Sequence, residues 1–249
     1  MFFVKLVLSI LGWLCGGLLF ISAATDPELY RQGRFVYSRH CVVCHGVRGD
    51  GKGEMSVGMF PKPRPFMDGV FKYRSTGPGM LPIDDDLKKT ISTGLVGTSM
   101  PAFVQLSARE LSAVVEYIKG FSPRWGRAEN VGRPVTIPRV PLWFERSGLV
   151  EEKAKRGGEL YKQACSACHG TEGDGKGVSA AALRDDWGEP SIPTDLRQKA
   201  SRVGNRPEDL YRVLLTGIGG SPMPSFAEAF SEEDRWMIVA WLLHLRTRT

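Results

Sequence analysis

Cysteine and histidine are scarce in this 249-residue chain, which has five cysteines and four histidines. Four of the cysteines and two of the histidines fall in two short strings, and Cys15, His40 and His244 lie outside them. A structural zinc site needs four ligands, drawn mainly from Cys and His at short spacing. The further histidines are His40, which stands beside the first string and has no counterpart beside the second, and His244, which is distant from both. The sequence therefore does not support a zinc protein.

Other common signatures are also lacking. No run alternates between apolar and polar residues with a period of two, so the sequence predicts no β-sheet. The string GDGKG occurs twice, but it lacks the spacing of a phosphate-binding loop, and the acidic residues do not follow the calcium-loop pattern. The net charge of +6 is not part of a recognisable nucleic-acid-binding module, so we expect no nucleic-acid partner.

What is present is the string Cys-x-x-Cys-His, written CVVCH in the first half of the chain and CSACH in the second. This string is typical of c-type haem attachment. The two thiols form thioethers with the vinyl groups of one haem, and the following imidazole binds the iron. A redox dithiol is the alternative, but it is expected near a βαβ pattern, whereas these flanks are glycine-rich loops and short helical patterns. The predicted residues are Cys41, Cys44 and His45 for the first haem and Cys165, Cys168 and His169 for the second.

The sequences around the two motifs are also similar, so the chain contains an internal duplication of one unit. Residues 36–53 parallel residues 160–177, and the segment TSMPAF in the first half corresponds to SPMPSF in the second. Equivalent residues lie 123 or 124 positions apart. The glycine-rich string inside each repeat is predicted to form a tight loop over the edge of the porphyrin, and no metal beyond iron is expected.

A haem iron with one histidine ligand takes a second ligand on its other face, and methionine is typical of electron-carrying cytochromes c. After His169 the chain contains only Met223 and Met237. Met237 lies in an apolar pattern that indicates a helix core, which leaves Met223 as the candidate. In the first repeat, Met100 is the methionine with a counterpart in the other half. Its competitors there are Met55, Met59, Met67 and Met80.

Together the motifs resemble two class I cytochrome c domains in tandem, over residues 26–122 and 150–246. The resemblance implies an all-α fold in which the helix ending at each CxxCH motif is crossed by a C-terminal helix. It implies a di-haem c-type cytochrome with two covalently bound haem c groups. It also implies that a proline carbonyl orients each proximal imidazole, and Pro63 and Pro193 are the nearest matches.

Local signals predict where the helices begin. Asp26, Pro27 and Glu28 provide an N-cap carboxylate, a proline at the first helical position and an acid in the first turn. The helix they start should run to about residue 39. Ser107 and Glu110 form a capping-box pattern, and residues 231–234 are its twin. Further helices are predicted over residues 84–92, 149–163 and 207–216.

The N-terminus determines the expected compartment. Residues 6–24 are uncharged and mostly apolar, follow Lys5, and end on small residues. They are predicted to be either a signal peptide or a membrane anchor, and the basic residue before them places the rest of the chain outside the cytoplasmic membrane. We therefore expect a periplasmic protein, soluble or anchored.

Four segments follow from these patterns: 1–24 as signal or anchor, 25–122 as the first cytochrome c domain, 123–148 as a proline-rich strap and 149–249 as the second domain. Proline at this density favours a semi-rigid path. We predict that the apolar residues of the strap pack against one or both domains. These are Trp125, Ile137, Val140, Leu142, Trp143 and Phe144.

The expected function is one-electron transfer between redox partner proteins, without an enzymatic reaction, either alone or as the electron-transfer subunit of a respiratory or dehydrogenase complex. The alternative is a di-haem enzyme, such as a peroxidase or a sulfur-compound oxidase, with one substrate-accessible haem. Such an enzyme should lose one distal ligand, whereas both repeats keep Met-Pro-x-Phe. Differences between the loops, such as residues 185–187 of the second unit, should make the two reduction potentials unequal.

Overall fold

The computed structural model describes residues 26–199 and 201–247, so the predicted signal or anchor segment at 6–24 lies outside the described residues. Within the described ranges the chain forms α-helices, short 3₁₀ turns and three isolated β-bridges, but no β-strand. None of the helices described is long and apolar enough to cross a bilayer. The helices are α1 Pro27–His40, α2 Val42–His45, α3 Asp84–Thr93, α4 Ala108–Lys119, α5 Ser147–Ala164, α6 Ser166–His169, α7 Pro207–Thr216 and α8 Glu232–Thr247. The 3₁₀ turns are Glu54–Ser56, Pro123–Gly126, Ala128–Asn130, Leu142–Glu145 and Ala180–Ala182.

The helix starts predicted from capping residues are confirmed. The Asp26 carboxylate accepts a hydrogen bond from the Glu28 amide at 3.0 Å, and α1 begins at Pro27. Ser107 and Glu110 form a reciprocal capping box at the start of α4. Ser231 and Asp234 make the same pair of contacts at the start of α8. These pairs satisfy amide groups that have no partner inside the helix.

Each half of the chain is built on one crossing of two helices. Helix α1 packs against α4 in the first half, and α5 packs against α8 in the second. A glycine lies at each crossing: a Cβ atom at Gly33 would collide with the carbonyl oxygen of Ala113, and one at Gly157 with that of Met237. The backbones therefore approach closely at both crossings, and a larger side chain at either position would push them apart.

We expect Gly157→Ala to lower the free energy of unfolding of the second domain by about 3 kcal/mol, because the added methyl group has no space and must displace the α8 backbone. Gly148→Ala in the same helix is the matched control, since nothing lies within 4 Å of its Cβ position. That control should leave stability unchanged or raise it by up to about 1 kcal/mol. Guanidinium unfolding followed by far-UV circular dichroism measures both. Equal midpoints for the two variants would show that the close crossing is not required.

The two crossings organise two separate hydrophobic cores. In the first, Tyr37 and Val114 are almost fully buried, with phenylalanines from the loops packed around them. In the second, Tyr211 and Trp236 take the central place, with ring centroids 4.2 Å apart. Met237 is also buried within α8, as its apolar surroundings predicted.

The strap packs against both cores, as predicted. Its first part contributes Trp125 to the first core. Its second part contributes a group of apolar residues to the second core: Ile137, Val140, Trp143 and Phe144. Leu142 is the exception, because its side chain is 74 % exposed and belongs to neither core. The last two residues of the predicted strap are helical, since α5 begins at Ser147 rather than at residue 149.

Candidate haem sites

Each CxxCH motif forms a single helical turn directly after a long helix. Cys41 ends α1, and its amide still donates to the Tyr37 carbonyl at 2.8 Å. Helix α2 follows and stops at Gly46, whose φ of 76° is accessible mainly to glycine. The second motif repeats this path, with φ −118° at Cys165 and 78° at Gly170. The tight turn presents the thiols and the imidazole of each motif to one cavity.

Two tyrosine side chains stabilise these turns through hydrogen bonds. The Tyr37 hydroxyl donates to the Gly46 carbonyl at 2.7 Å, and the Tyr161 hydroxyl donates to the Gly170 carbonyl at the same distance. Both rings are fully buried, and burial raises the pKa of both hydroxyl groups. The sequence signal that could have identified them is a tyrosine four residues before the first cysteine of each motif.

The structure brings the predicted site residues together in two cavities. The first is lined by Cys41, Cys44, His45 and Met100, and most of the remaining wall is apolar. The second cavity is also mainly apolar, and its wall includes Cys165, Cys168, His169 and Met223. Each cavity therefore combines two thiols, one imidazole and one thioether, which is the donor set of a covalently bound haem with His and Met ligands.

Met100 and Met223 occupy matching turns. The Met100 carbonyl accepts from the Leu95 amide at 3.1 Å, and the Met223 carbonyl accepts from the Ile218 amide at 3.1 Å. Of the competing methionines in the first half, Met55 and Met59 also line the cavity, whereas Met67 and Met80 are not on its wall. Two other methionines therefore remain candidates for the ligand of the first iron. Met100 is favoured over them because its turn matches that of Met223.

Each proximal histidine is oriented by a backbone carbonyl. His45 Nδ1 lies 3.3 Å from the carbonyl oxygen of Arg64, and His169 Nδ1 lies 3.4 Å from that of Thr194. A carbonyl only accepts, so Nδ1 carries the proton and Nε2 keeps a lone pair for a metal. The expectation that Pro63 and Pro193 supply these carbonyls is wrong by one residue. The carbonyls of both prolines instead face the glycine-rich loops, close to the positions of Cβ atoms at residues 51 and 175.

Burial favours the neutral form of both imidazoles. It lowers the pKa of His45 to about 4, opposed by the hydrogen bond to Arg64, and lowers the pKa of His169 in the same way, opposed by the bond to Thr194. His45 also stacks on Phe66, with ring centroids 4.5 Å apart and an interplanar angle of 18°. The ring of His45 is therefore fixed by one hydrogen bond and one aromatic face.

The cysteines do not have the properties of a redox dithiol. Burial, followed by the neighbouring Cys44, raises the pKa of Cys41 to about 12, and burial raises that of Cys165 to about 11. A reactive dithiol instead has a lowered thiol pKa. No disulfide joins the four cysteines of the motifs. Across the described residues, no group of three His, Cys, Asp or Glu side chains is arranged to hold a metal ion.

The glycine-rich loops hydrogen-bond to the turns that contain the CxxCH motifs. In the first half, the Gly51 amide donates to the His45 carbonyl at 2.9 Å, and the Gly53 amide donates to the Cys44 carbonyl at 3.2 Å. Residues 49–53 and 173–177 are not on the walls of the two cavities. The loops brace the backbone of α2 and α6, and their position over the porphyrin edge stays a prediction.

The two cavities share part of their walls. Lys72, Tyr73 and Arg202 line both of them, and we call these residues the shared wall. Arg202, from the second half, donates to the carbonyls of Val96 and Gly97 in the first half at 2.8 and 3.1 Å. Nothing in the repeat predicts this contact, because it joins loops that have different sequences in the two halves.

The polar groups around the cavities suit an anionic, mostly apolar cofactor. Lys72 is largely buried, and burial and the nearby Arg64 lower its pKa to about 8. Arg64 also lines the first cavity, and its Nε is buried without a hydrogen-bond partner. A haem has an apolar macrocycle and two carboxylate groups, so Arg64, Lys72 and Arg202 fit it as cationic donors.

Comparison with known proteins agrees with this donor set. The family described as cytochrome c oxidase, cbb3-type, subunit III matches residues 28–118 and again residues 152–242. Cytochrome c55X of Paracoccus denitrificans (strain Pd 1222) is 32% identical over 91 residues, which cover 35% of this chain and 70% of that protein. A chain from the Kuenenia stuttgartiensis reducing HAO-like protein complex superposes with a TM-score of 0.78 and 36% identity, over 86% of this chain and 95% of that chain.

Proposed function

The chain belongs to the cytochrome c oxidase, cbb3-type, subunit III family and contains two tandem cytochrome c domains; from this premise we propose that it is a di-haem electron carrier. It binds one haem c in each domain and passes single electrons between redox partner proteins outside the cytoplasmic membrane. The observation that carries the proposal is the presence of the same four groups on the wall of each cavity: two cysteines, a histidine and a methionine.

When bound, each haem supplies a one-electron change between Fe(III) and Fe(II). The residues of the chain hold the cofactor and limit what must move during this change. Cys41 and Cys44 attach the first haem, and His45 and Met100 bind its iron. Cys165, Cys168, His169 and Met223 do the same for the second. The carbonyls of Arg64 and Thr194 keep each imidazole in one orientation, and the apolar walls exclude water.

Electron transfer between the two haems is part of the proposal, and the shared wall supports it. Lys72 and Tyr73 come from the first domain and Arg202 from the second, and all three line both cavities. The domains are also joined beside this wall, where Arg74 donates to the Thr216 carbonyl at 2.9 Å and the Gly219 amide donates to the Lys72 carbonyl at 3.1 Å. Haems held in these cavities would both contact this wall, which supports electron exchange between them.

Membership of a larger complex is a further part of the proposal. Its support is the similar chain from Kuenenia stuttgartiensis, which comes from a reducing HAO-like protein complex. The periplasmic location rests on the apolar segment at residues 6–24. We propose that this chain is exported and serves as an electron-transfer subunit for an oxidoreductase there.

The test is a reductive titration of the full chain, followed by optical spectroscopy under argon and under carbon monoxide. We expect two covalent haems, two one-electron steps at different potentials, and a methionine-to-iron charge-transfer band from each oxidised haem. Reduced protein should not bind carbon monoxide, because both irons keep two protein ligands. The reference sample is oxidised protein without added cyanide. Its haem content is measured with the alkaline pyridine assay.

Two outcomes would contradict the proposal. A single covalent haem per chain would remove the di-haem assignment. Carbon monoxide binding to one haem of the unmutated protein would show an open iron, and would favour the haem-enzyme alternative with one substrate-accessible site.

A further inference from the structure

A loop of the second domain contacts a short segment of the first domain through several side chains. Arg64 Nη1 lies 3.5 Å from Asp185 Oδ2, and the two side chains are only 12% and 13% exposed. The Arg64 guanidinium also lies 3.9 Å from the centroid of the Trp187 ring. Trp187 Nε1 in turn donates to Asp68 Oδ2 at 2.6 Å. We call Arg64, Asp68, Asp185 and Trp187 the clasp.

The second-domain half of the clasp is held rigidly. Asp185 Oδ1 accepts hydrogen bonds from the amides of Trp187 and Glu189, at 3.1 and 3.0 Å. The Asp185 amide donates to the Glu189 carbonyl at 2.9 Å, and the Asp186 amide donates to the Gly220 carbonyl at 3.2 Å. Asp185 therefore uses one oxygen to fix its own loop and the other to hold Arg64.

The first-domain half of the clasp touches the proximal histidine. Arg64, which the second domain holds by its side chain, is the residue whose carbonyl accepts from His45 Nδ1. Phe66, which stacks on His45, lies between Arg64 and Asp68 in the chain. Pro63 and Pro65 flank Arg64 and restrict its backbone, so the Arg64 carbonyl has few alternative orientations while the clasp holds the Arg64 side chain.

The second haem site has no equivalent connection. The carbonyl that accepts from His169 belongs to Thr194, and across the described residues its side chain forms no hydrogen bond or ion pair with the first domain. The neighbouring Asp195 pairs with Arg197 of its own loop, at 2.7 Å. The clasp therefore acts on the histidine of one domain only.

We propose that Asp185 and Trp187 are positioning residues that set the reduction potential of the haem in the other domain, by holding the Arg64 carbonyl against His45 Nδ1. This inference rests on the proposed function, since it requires a haem bound through His45. A hydrogen bond from Nδ1 increases the basicity of the imidazole. A more basic ligand favours Fe(III), so the clasp keeps the potential of the first haem low.

The test uses the full haem-loaded chain with Asp185→Asn and, separately, Trp187→Phe. Trp187→Phe removes the hydrogen bond to Asp68 but no charge, so a shift in that variant is not Coulombic. In both variants we expect the ratio of reduced to oxidised first haem, at a fixed applied potential, to rise about threefold. That corresponds to roughly 28 mV at 59 mV per tenfold for one electron. The second haem should stay within error of the unmutated protein.

Asp186→Asn is the matched control for Asp185→Asn. Asp186 is the adjacent acid and its side chain is exposed. Its charge also acts on Arg64, so Asp186→Asn removes a nearby charge while the Arg64–Asp185 ion pair remains. The control should shift the reduction potential of the first haem by less than half as much as Asp185→Asn does. Electron paramagnetic resonance provides a second readout, because the g values of the first haem should change in the clasp variants as its imidazole reorients. Met223→Ala in the same background assigns the potentials, since it alters the second haem alone.

The possible results separate the inference from the proposed function. If both clasp variants carry two haems and the first keeps its potential and g values, the inference is wrong and the proposed function stands. Equal shifts at both haems would also overturn it, because they would indicate general loosening of the domains. Unmutated protein with no haem on the first domain would instead overturn the proposed function.

Discussion

A chain in which Cys165 and Cys168 are both replaced by serine is expected to carry one covalent haem instead of two. The paired replacement of Cys41 and Cys44 should give the same count, with the other haem retained. The reason is chemical: the thioether bonds require the thiols, and among the described residues no other cysteine lines either cavity. The measurement is the haem that remains on the polypeptide after acid extraction, compared with the protein concentration.

Cys15→Ser is the control for this experiment. Cys15 lies outside both motifs in the sequence, so its removal should leave two covalent haems. A count of two in either double variant would contradict the attachment sites. A count of one in the unmutated protein would show that only one motif is used.

The second large effect concerns the methionines. Met223→Ala is expected to let carbon monoxide bind the reduced second haem, because Met223 is the one methionine among the described residues that lines the second cavity. The reduction potential of that haem should fall by on the order of 0.1 V, since methionine ligation raises it and axial ligands span about 0.8 V. Optical titration under carbon monoxide and under argon measures both quantities.

Met237→Leu is the matched control in the second domain, because Met237 is buried in α8 and does not line the cavity. It should bind no carbon monoxide. In the first domain, Met100→Ala should behave like Met223→Ala, while Met55→Leu and Met59→Leu should leave the first haem closed. Suppose that the first haem binds no carbon monoxide in Met100→Ala but does bind it in Met59→Leu. Met59, rather than Met100, would then be the ligand of the first iron.

The parts of this structure that follow local rules could be predicted from the sequence. The Ser107 and Glu110 capping box sets the start of α4, and a proline at the first position sets the starts of α1 and α7. The CxxCH motif predicts the placement of its own side chains, since the two thiols and the imidazole lie within one helical turn. The repeat and one exclusion sufficed to select Met223 as a candidate ligand, and the structure places it on the wall of the second cavity.

The remainder depends on how loops meet in space, and such contacts leave no periodic signal in the sequence. The carbonyl that orients His45 comes from Arg64 rather than Pro63, because the glycine-rich loop packs against the proline carbonyl. The loop containing Asp185 differs from its counterpart in the first half, which indicated unequal haem sites. Only the fold shows that this loop contacts the other domain.

The shared wall has a consequence for the independence of the two domains. Arg202 from the second domain closes part of the first cavity, and Lys72 and Tyr73 from the first domain close part of the second. Either domain folded alone would therefore have an incomplete cavity. The repeat in the sequence suggests two self-contained units, but each unit needs the other to enclose its cofactor fully.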